Sequence, residues 1–585
     1  MAKRGGSAHV ATIRTKGRGG VVYTSHLLRR SYREGGKVRH ESLGNLSHLP
    51  MEVIEAIRAM LAGRRLVDLD EDFEIVRSLP NGHVAAVLGV LRGLDLERLL
   101  GRERCRERDL IVALIVQRLI GPGSKLSATR RVAQSTLAEE LGLGEVTEPE
   151  LLGAMDWLLD QQPRIERALA RRHLHNAGDD EDEDRGFVLY DLSSSYLEGR
   201  CCPLAQLGYS RDGKKGKLQV NYGLICSPQG RPVGVRVHEG GTQDQQSVPD
   251  AITTIRERFG IEQVVFVGDR GMITQAHAEQ FKADGVDFIS ALKSAQIRKL
   301  LDAGDLQLSL FDQVNLAEIS STLFPDERLV VCRNPAVAAE RARKRGELLA
   351  AAETELDKVK AMTQGPRGRL RGADAGQIGQ RAGRVINKYK MAKHFNLNIT
   401  DGAFAYRRKT DQITAEAALD GLYVIRTTVT KDTLGAAAAV RAYKQMKMAE
   451  RAFRTMKDTL QIRPIHHHLE ARVRAHIFLC MLAYYVAFEL NARLAPLLFT
   501  DETPLAPTDP VAPATRSPAA KTKAGRARTT DDFPAHNLTD LLADLATITH
   551  NEVRIATSEH TYTRLSTPTA LQARAFELLD LKLHT

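Results

Sequence analysis

The sequence predicts a mixed α/β fold built around a sheet, and two observations carry that prediction. "FVLYD", "LQVNYGLIC" and "PVGVRVHEG" are consecutive apolar runs of strand length. They pass into "DQQSVPDAITTIRERFG", "QVVFVGD", "TQAHAEQFKADG" and "DFISAL", which read as helix, strand, helix, strand. A meander followed by β-α-β-α-β implies a sheet with antiparallel and parallel parts.

The rest of the chain is placed around that centre. Residues 1–50 read as β-rich, with short strand-like runs separated by glycines. Residues 51–177 are helical by apolar spacing, as in "RDLIVALIVQRLI" and "EPELLGAMDWLLDQQ". The loop "GPGSKLSATRRVAQ" among them leads into a basic helix, either a DNA-reading element or a solvated connection. The acidic run "GDDEDEDRG" (Gly178–Gly186) is expected to be a solvated linker at a domain boundary. Residues 186–292 and 421–495 form the two parts of the α/β core. Residues 293–420 interrupt it as an α+β insertion with a long charged helix near 336–362, read as a solvated, coiled-coil-like arm for contact with DNA or a second subunit. Residues 501–535, with prolines at 504, 507, 510, 513 and 518, are expected to be a flexible linker, and 536–585 a tail.

At 585 residues the chain can hold several domains. Its formal charge of +11 favours a polyanionic partner. The six cysteines form no CxxC pair and suggest no disulfide framework, which fits a reducing cytosol. "MAKRGGSAHV" lacks a signal-peptide core, and the apolar run Ile477–Phe488 suits a buried helix better than a membrane span.

Two of the strand-like runs end on carboxylates. "FVLYD" delivers Asp191, and "VVFVGDRGMIT" delivers Asp269 between Gly268 and Gly271. In open α/β sheets the carboxyl ends of strands are where ligands bind. Either aspartate alone could be a cap or a turn residue. A third acid comes from "YKQMKMAERAFRTMKDTLQIRP". Tyr443, Glu450 and Lys457 are spaced by seven residues, so on one straight helix they share a stripe. The stripe is either functional or simply the outer face, with Ala449, Phe453 and Met456 toward the core. Two aspartates and a glutamate are a hard, oxygen-only set that suits two Mg2+ or Mn2+ ions rather than zinc. Lys457 is placed to hold a phosphate as a point charge.

The ordered set "LYD", "GYSRDGKKGKLQVNYGL", "VFVGDRG" and Y-x2-M-x3-E-x6-K resembles the DDE transposases of bacterial insertion sequences, the group with the Tyr-Arg-Glu-Lys signature. The resemblance extends over residues 10–495 and includes "SYREGGKVRHESLGNLSHLP", "DGLYVIRTT" and "RPIHHHLEARVRAHIFLCMLAYYV". It implies a ribonuclease-H-like core: a five-stranded mixed sheet, the first three strands antiparallel, interrupted before the glutamate helix. It implies Asp191, Asp269 and Glu450 as catalytic metal ligands, with Tyr443 and Lys457 at signature positions. Met446 stands at the arginine position, and Lys447 or Arg451 is the candidate replacement.

Arg211, Lys214, Lys215 and Lys217 in the basic turn, with Arg270, are candidates for DNA phosphates. His466–His468 are adjacent and so diverge, which suits a polar or phosphate-contacting loop better than a metal site. Glu470 and Glu489 are rival third acids beyond Pro464.

The resemblance implies double-stranded DNA as partner, both terminal inverted repeats and target, with a homodimer in the DNA complex, no membrane, and a bacterial cytoplasmic, nucleoid-associated location. It implies metal-dependent cleavage at the element's ends and joining of the 3′-OH ends by transesterification. A repeat-binding protein without catalysis, and a nuclease of the same fold that does not join, are the competing expectations.

Overall fold

The computed structural model describes residues 7–18, 20–64, 73–175, 186–311, 314–364, 368–505, 509–555 and 560–583. The acidic boundary expected at 178–186 lies outside them except for its last residue. The chain falls into two compact units: Met1–Leu79 with Thr549–Thr567 and Thr585, and Pro80–Ile548 with Pro568–His584.

The first unit holds an antiparallel meander of Ser7–Lys16, Val22–Glu34 and Lys37–Asn45. Its second turn is Gly35-Gly36, both at positive φ (58° and 77°), the conformation that tight hairpins demand of their central pair. Strand Phe73–Pro80 forms a second sheet with Thr549–Ile555 and His560–Leu565, the latter pair antiparallel. The Ser78 hydroxyl donates to Asn551 Oδ1 at 2.7 Å. Residues expected to be a tail therefore supply strands, because their partner lies far away near the N-terminus.

The second unit is organised by an eight-stranded sheet. Its strands are β1 (Phe187–Tyr196), β2 (Gln219–Cys226), β3 (Pro232–Glu239), β4 (Val265–Gly268), β5 (Asp287–Ala291), β6 (Leu316–Ile319), β7 (Arg328–Arg333) and β8 (Leu422–Thr427). The order is β6-β7-β8-β5-β4-β1-β2-β3. β1, β2 and β3 pair antiparallel, β1 with β4 and β4 with β5 parallel, and β8 returns antiparallel on β5. The sheet is thus three strands wider than the five the resemblance implies, since the insertion adds β6 and β7 and β8 joins them to the edge.

β1 runs through "SSS" instead of turning there. Ser195 Oγ and Tyr222 OH are 2.9 Å apart, and Ser194 Oγ accepts from Arg211 N at 3.1 Å. With those hydroxyls bonded, the serines stay buried in the strand. Asp191 is therefore inside β1, not at its end.

Five further helices of this unit are α1 (Lys125–Val132), α2 (Glu148–Ala170), α3 (Ala436–Lys444), α4 (Met446–Arg454) and α5 (Glu470–Arg493). α5 is long and apolar enough to cross a membrane, but 83% of its apolar window is buried against the protein, where it packs on α2 and β3. α3 and α4 are not one straight helix. Gln445 N donates to both Arg441 O and Ala442 O at 3.1 Å, and Met448 N to Gln445 O at 2.7 Å. That tightening breaks the run, and a π-turn at Thr455–Thr459 ends it. Ala449, Phe453 and Met456 face the core, Tyr443 is half-buried and Glu450 is exposed.

The insertion has its own core. Helices Pro335–Thr363 and Ala375–Tyr389 pack with hairpin Phe395–Thr400 and Ala403–Arg408 around Leu356, Ile378, Ala382 and Phe404. The 501–535 stretch also departs from a linker. It carries helix Pro518–Arg526, whose Ser517 cap accepts from Ala520 N, and Val511 is buried.

Candidate active site

Parallel pairing of β1 with β4 ends at Tyr190 opposite Gly268. The residue after each is an aspartate, Asp191 within β1 and Asp269 just past the end of β4, and the two are close enough for their charges to interact. Within Phe187–Ser195 only Asp191 is not fully buried. Leu192 N donates to its Oδ1 at 2.8 Å. Asp269 is exposed where the chain turns: Met272 N donates to Asp269 O at 3.1 Å, and Ser290 Oγ to the same oxygen at 3.0 Å. Gly271 closes this turn at φ +76°, and a Cβ there would lie 2.0 Å from Lys293 Cε. The glycine thus admits both the left-handed turn and the lysine stem. Thr274 then caps the following helix through His277 N.

Burial, reinforced by the Asp269 charge, lifts the Asp191 carboxyl from 3.8 to about 7. An acid raised in this way binds its proton more tightly when folded. Its stabilising contribution is complete below the unfolded value and is lost as pH climbs to the folded one. The metal-free protein should therefore lose stability between 3.8 and about 7. Asp191→Asn should melt higher than wild type at about pH 8 in EDTA, the gain vanishing by about pH 4. Calorimetry at both pH values checks this, and a pH-independent difference would contradict it.

Opposite the strand ends, a cleft of about 330 Å³ is lined by Asp269, Arg270, Tyr443, Met446, Lys447 and Glu450 among others. The Tyr443 hydroxyl donates to Asp269 Oδ1 at 3.3 Å. Burial, then the Asp269 charge, raises the Tyr443 phenol, with Glu450 adding to the rise. Tyr443 thus stays protonated between the two acids. Asp191 sits beside Asp269 on β1 and does not itself line the cleft. Among the described residues no three His, Cys, Asp or Glu side chains are grouped closely enough to hold a metal ion. The cleft therefore gathers Asp269, Glu450 and Tyr443, with Asp191 adjacent, but leaves Glu450 short of a closed ligand set.

The basic candidates separate. Arg270 and Lys447 line the cleft, so Lys447 rather than Arg451 stands beside Met446; Arg451 lines a different cavity with Tyr484 and Asp540. Lys457 does not reach the cleft. It lies 2.9 Å from Asp212 Oδ1, a fully buried carboxylate that also receives Arg463. The straight-helix stripe fails there because the π-turn at Thr455–Thr459, which carries Lys457, redirects the last step. Arg211 is bonded to the Asp244 carboxylate, Lys217 Nζ lies 3.0 Å from Glu198, and Lys214 lies over the Tyr196 ring at 6.0 Å. Lys215 is exposed in the same turn. The rival acids are engaged elsewhere, Glu470 with Arg474 and Glu489 with Arg493, both at 2.8 Å.

Other cleft residues carry no sequence signal. Asn334, Val337 and Arg341 come from the start of the insertion's long helix, and Val511 and Pro513 from the proline-rich stretch. Lys444 Nζ donates to Pro510 O and to Ala512 O (2.8 Å), and Asn334 Nδ2 to Val511 O at 3.0 Å. Only the NP dipeptide at 334–335, a helix-start pattern, was there to be read.

A transposase DDE domain model matches residues 200–486, a span that includes Asp269 and Glu450 and begins past Asp191. A model of the IS1634 family transposase N-terminal domain matches residues 10–69. No curated protein matches the chain. Among solved structures, the chain is similar to the piggyBac transposase synaptic complex with hairpin DNA, seen by cryo-EM, at 10% identity and a TM-score of 0.24, over 77% of this chain and 85% of that one. At that score the likeness bears on neither fold nor chemistry. The two domain matches together span more than half of the sequence, and the chain belongs to the DDE transposases of bacterial insertion sequences.

Proposed function

We propose that the cleft is the centre at which this transposase hydrolyses a phosphodiester at each end of its element and joins the freed 3′-OH to target DNA. Strands β1 to β5, in the order β3-β2-β1-β4-β5, support reading this part as a ribonuclease-H-like core. The observation that carries the proposal is that Asp191 and Asp269 each directly follow the last parallel pair, Tyr190 opposite Gly268, combined with the Tyr443 hydrogen bond that reaches the second aspartate from the glutamate's side of the cleft.

DDE transposase domains use divalent metal ions. The donors fit such an ion in kind: all are carboxylate oxygens, and the neighbouring aspartates repel until a cation joins them. Asp191 and Asp269 would hold it, with Glu450 completing the set, and two Mg2+ or Mn2+ ions match the family's chemistry. When bound, such ions activate the attacking oxygen and stabilise the leaving one. The chain's own groups do the rest. Tyr443, kept protonated, fixes the Asp269 carboxylate. Arg270 and Lys447 meet the phosphates that flank the scissile bond. Water attacks phosphorus, the P–O3′ bond breaks, and the 3′-oxygen leaves and is protonated; in the joining step that 3′-OH loses its proton and attacks a target phosphodiester, whose own P–O3′ bond breaks to release a target 3′-OH.

Two ends must be brought together, so two copies of the chain on DNA are part of the proposal, with the basic surface and N-terminal region on the terminal repeats. A strand-transfer assay on duplexes carrying the DNA that flanks the gene tests it. Cleaved and joined products are expected. Cleaved ends without joining would favour a nuclease, and binding without either a repeat-bound protein lacking catalysis. Tyr443→Phe should lower cleavage by about 10–100-fold, the usual loss when a ligand's orienting partner is removed. An unchanged rate would show that the phenol does not position Asp269.

A further inference from the structure

A second cavity, of about 420 Å³, opens between the loop before α1, the 461–469 loop and the first turn of α5. Lys125 lines it with only 5% of its surface exposed. Its ammonium has no hydrogen bond or ion pair among the described residues. Arg118 beside it is bonded to Leu460 O, Gln461 O and His476 Nδ1, none of them anionic. Arg472 also lines the cavity, and its buried Nε has no acceptor. The one carboxylate among the lining residues is Glu148, exposed at the start of α2.

A buried ammonium without a counter-charge is costly, and no carboxylate pairs with it among the described residues. Burial and the Arg118 charge bring Lys125 down to about 7. An oxyanion in the cavity would restore the charge and satisfy the idle N–H groups. The site also bears on the catalytic strand. Ile465 N donates to Tyr196 O, and Glu198 N to Ile465 O, so the loop is zipped to the end of β1. Asp191 is five residues back from Tyr196 along that strand, roughly 17 Å, within the span of a short duplex.

We propose that this cavity binds a phosphate group, at a site apart from the Asp191–Asp269 cleft. The phosphate comes either from a DNA strand or from a free mononucleotide or phosphate ion. Isothermal titration of the full chain with inorganic phosphate reads the site directly. Wild type should bind, and Lys125→Met, which keeps the stem's volume, should bind at least about tenfold more weakly. Circular dichroism verifies its fold. His468→Glu places an acid at an exposed lining position, so it leaves the core intact, and it should weaken binding to a similar extent. A silent wild-type titration, or undiminished binding by the folded variants, overturns the proposal.

Duplex binding separates the sources. If Lys125→Met weakens a duplex in parallel with phosphate, the ligand is a backbone phosphate. If only phosphate or AMP binding falls, the ligand is a free one. Neither readout involves cleavage, so failure here and failure of the catalytic reading are told apart.

Discussion

Asp269→Asn should abolish cleavage of a duplex carrying an element end while leaving the fold and DNA binding in place. Asparagine keeps the size of the side chain and an Oδ1 that can still accept from Tyr443, so the 3.3 Å hydrogen bond survives and only the charge is lost. The turn that holds the residue is made by its backbone oxygen, which the substitution does not touch. Loss of a charge on which transition-state stabilisation rests should cost on the order of 10³-fold or more in rate. Cleavage assayed in Mg2+, with gel-shift binding alongside, checks it. Retained cleavage would end the metal reading, whereas lost binding would mean that the substitution had damaged the fold.

Arg426→Leu should produce the largest loss of stability. Arg426, on β8, and Glu327 are each about 2% exposed at the side chain. The guanidinium is bidentate on Glu327, with Nε 2.6 Å from Oε2, and Nη1 donates to Ile273 O at 3.3 Å. It also lies 5.2 Å from the centroids of both Phe288 and Phe324. Through Ile273 the arginine steadies the turn that carries Asp269. Its removal strands a buried carboxylate, which typically costs about 3–5 kcal/mol. Urea unfolding with an unchanged m-value should show that loss. Replacing Glu327 as well, as Arg426→Leu/Glu327→Leu, should restore most of it, since a well-packed apolar pair often matches a buried ion pair. A single variant as stable as wild type would show that water reaches Glu327.

The parts of this architecture that depend on local pattern are legible in the sequence. Apolar runs mark β1 to β5, and each aspartate stands where a run gives out. What the sequence does not display is pairing at a distance. The register of Tyr190 on Gly268, which makes neighbours of Asp191 and Asp269, depends on two segments far apart. "SSS" has turn composition, yet Tyr222 and the Arg211 amide satisfy two of its hydroxyls, and the strand continues.

Lys457 extrapolates to the Tyr443–Glu450 stripe only on an unbroken helix. The π-turn at Thr455–Thr459 and the buried Asp212 carboxylate, supplied by a distant turn, take it elsewhere. The proline-rich stretch has the composition of a linker, but Lys444 and Asn334 bind its carbonyls and seat it at the cleft. The C-terminal stretch carries strand patterns, but its pairing with Phe73–Pro80 is hidden for the same reason as the register.

The central claim is that Asp191, Asp269 and Glu450 converge on the divalent cations of one centre. Glu450 and Asp269 line the same cleft, yet the three acids are not gathered tightly enough to ligate an ion together. Iron-directed cleavage of the polypeptide measures the convergence most directly. Fe2+ replaces Mg2+ in the DNA-bound protein, and ascorbate with peroxide releases hydroxyl radicals that cut the backbone beside the ion. The account predicts cuts clustered near residues 191, 269 and 450 together, all lost in Asp269→Asn. Cuts near 191 and 269 with none near 450 would contradict it.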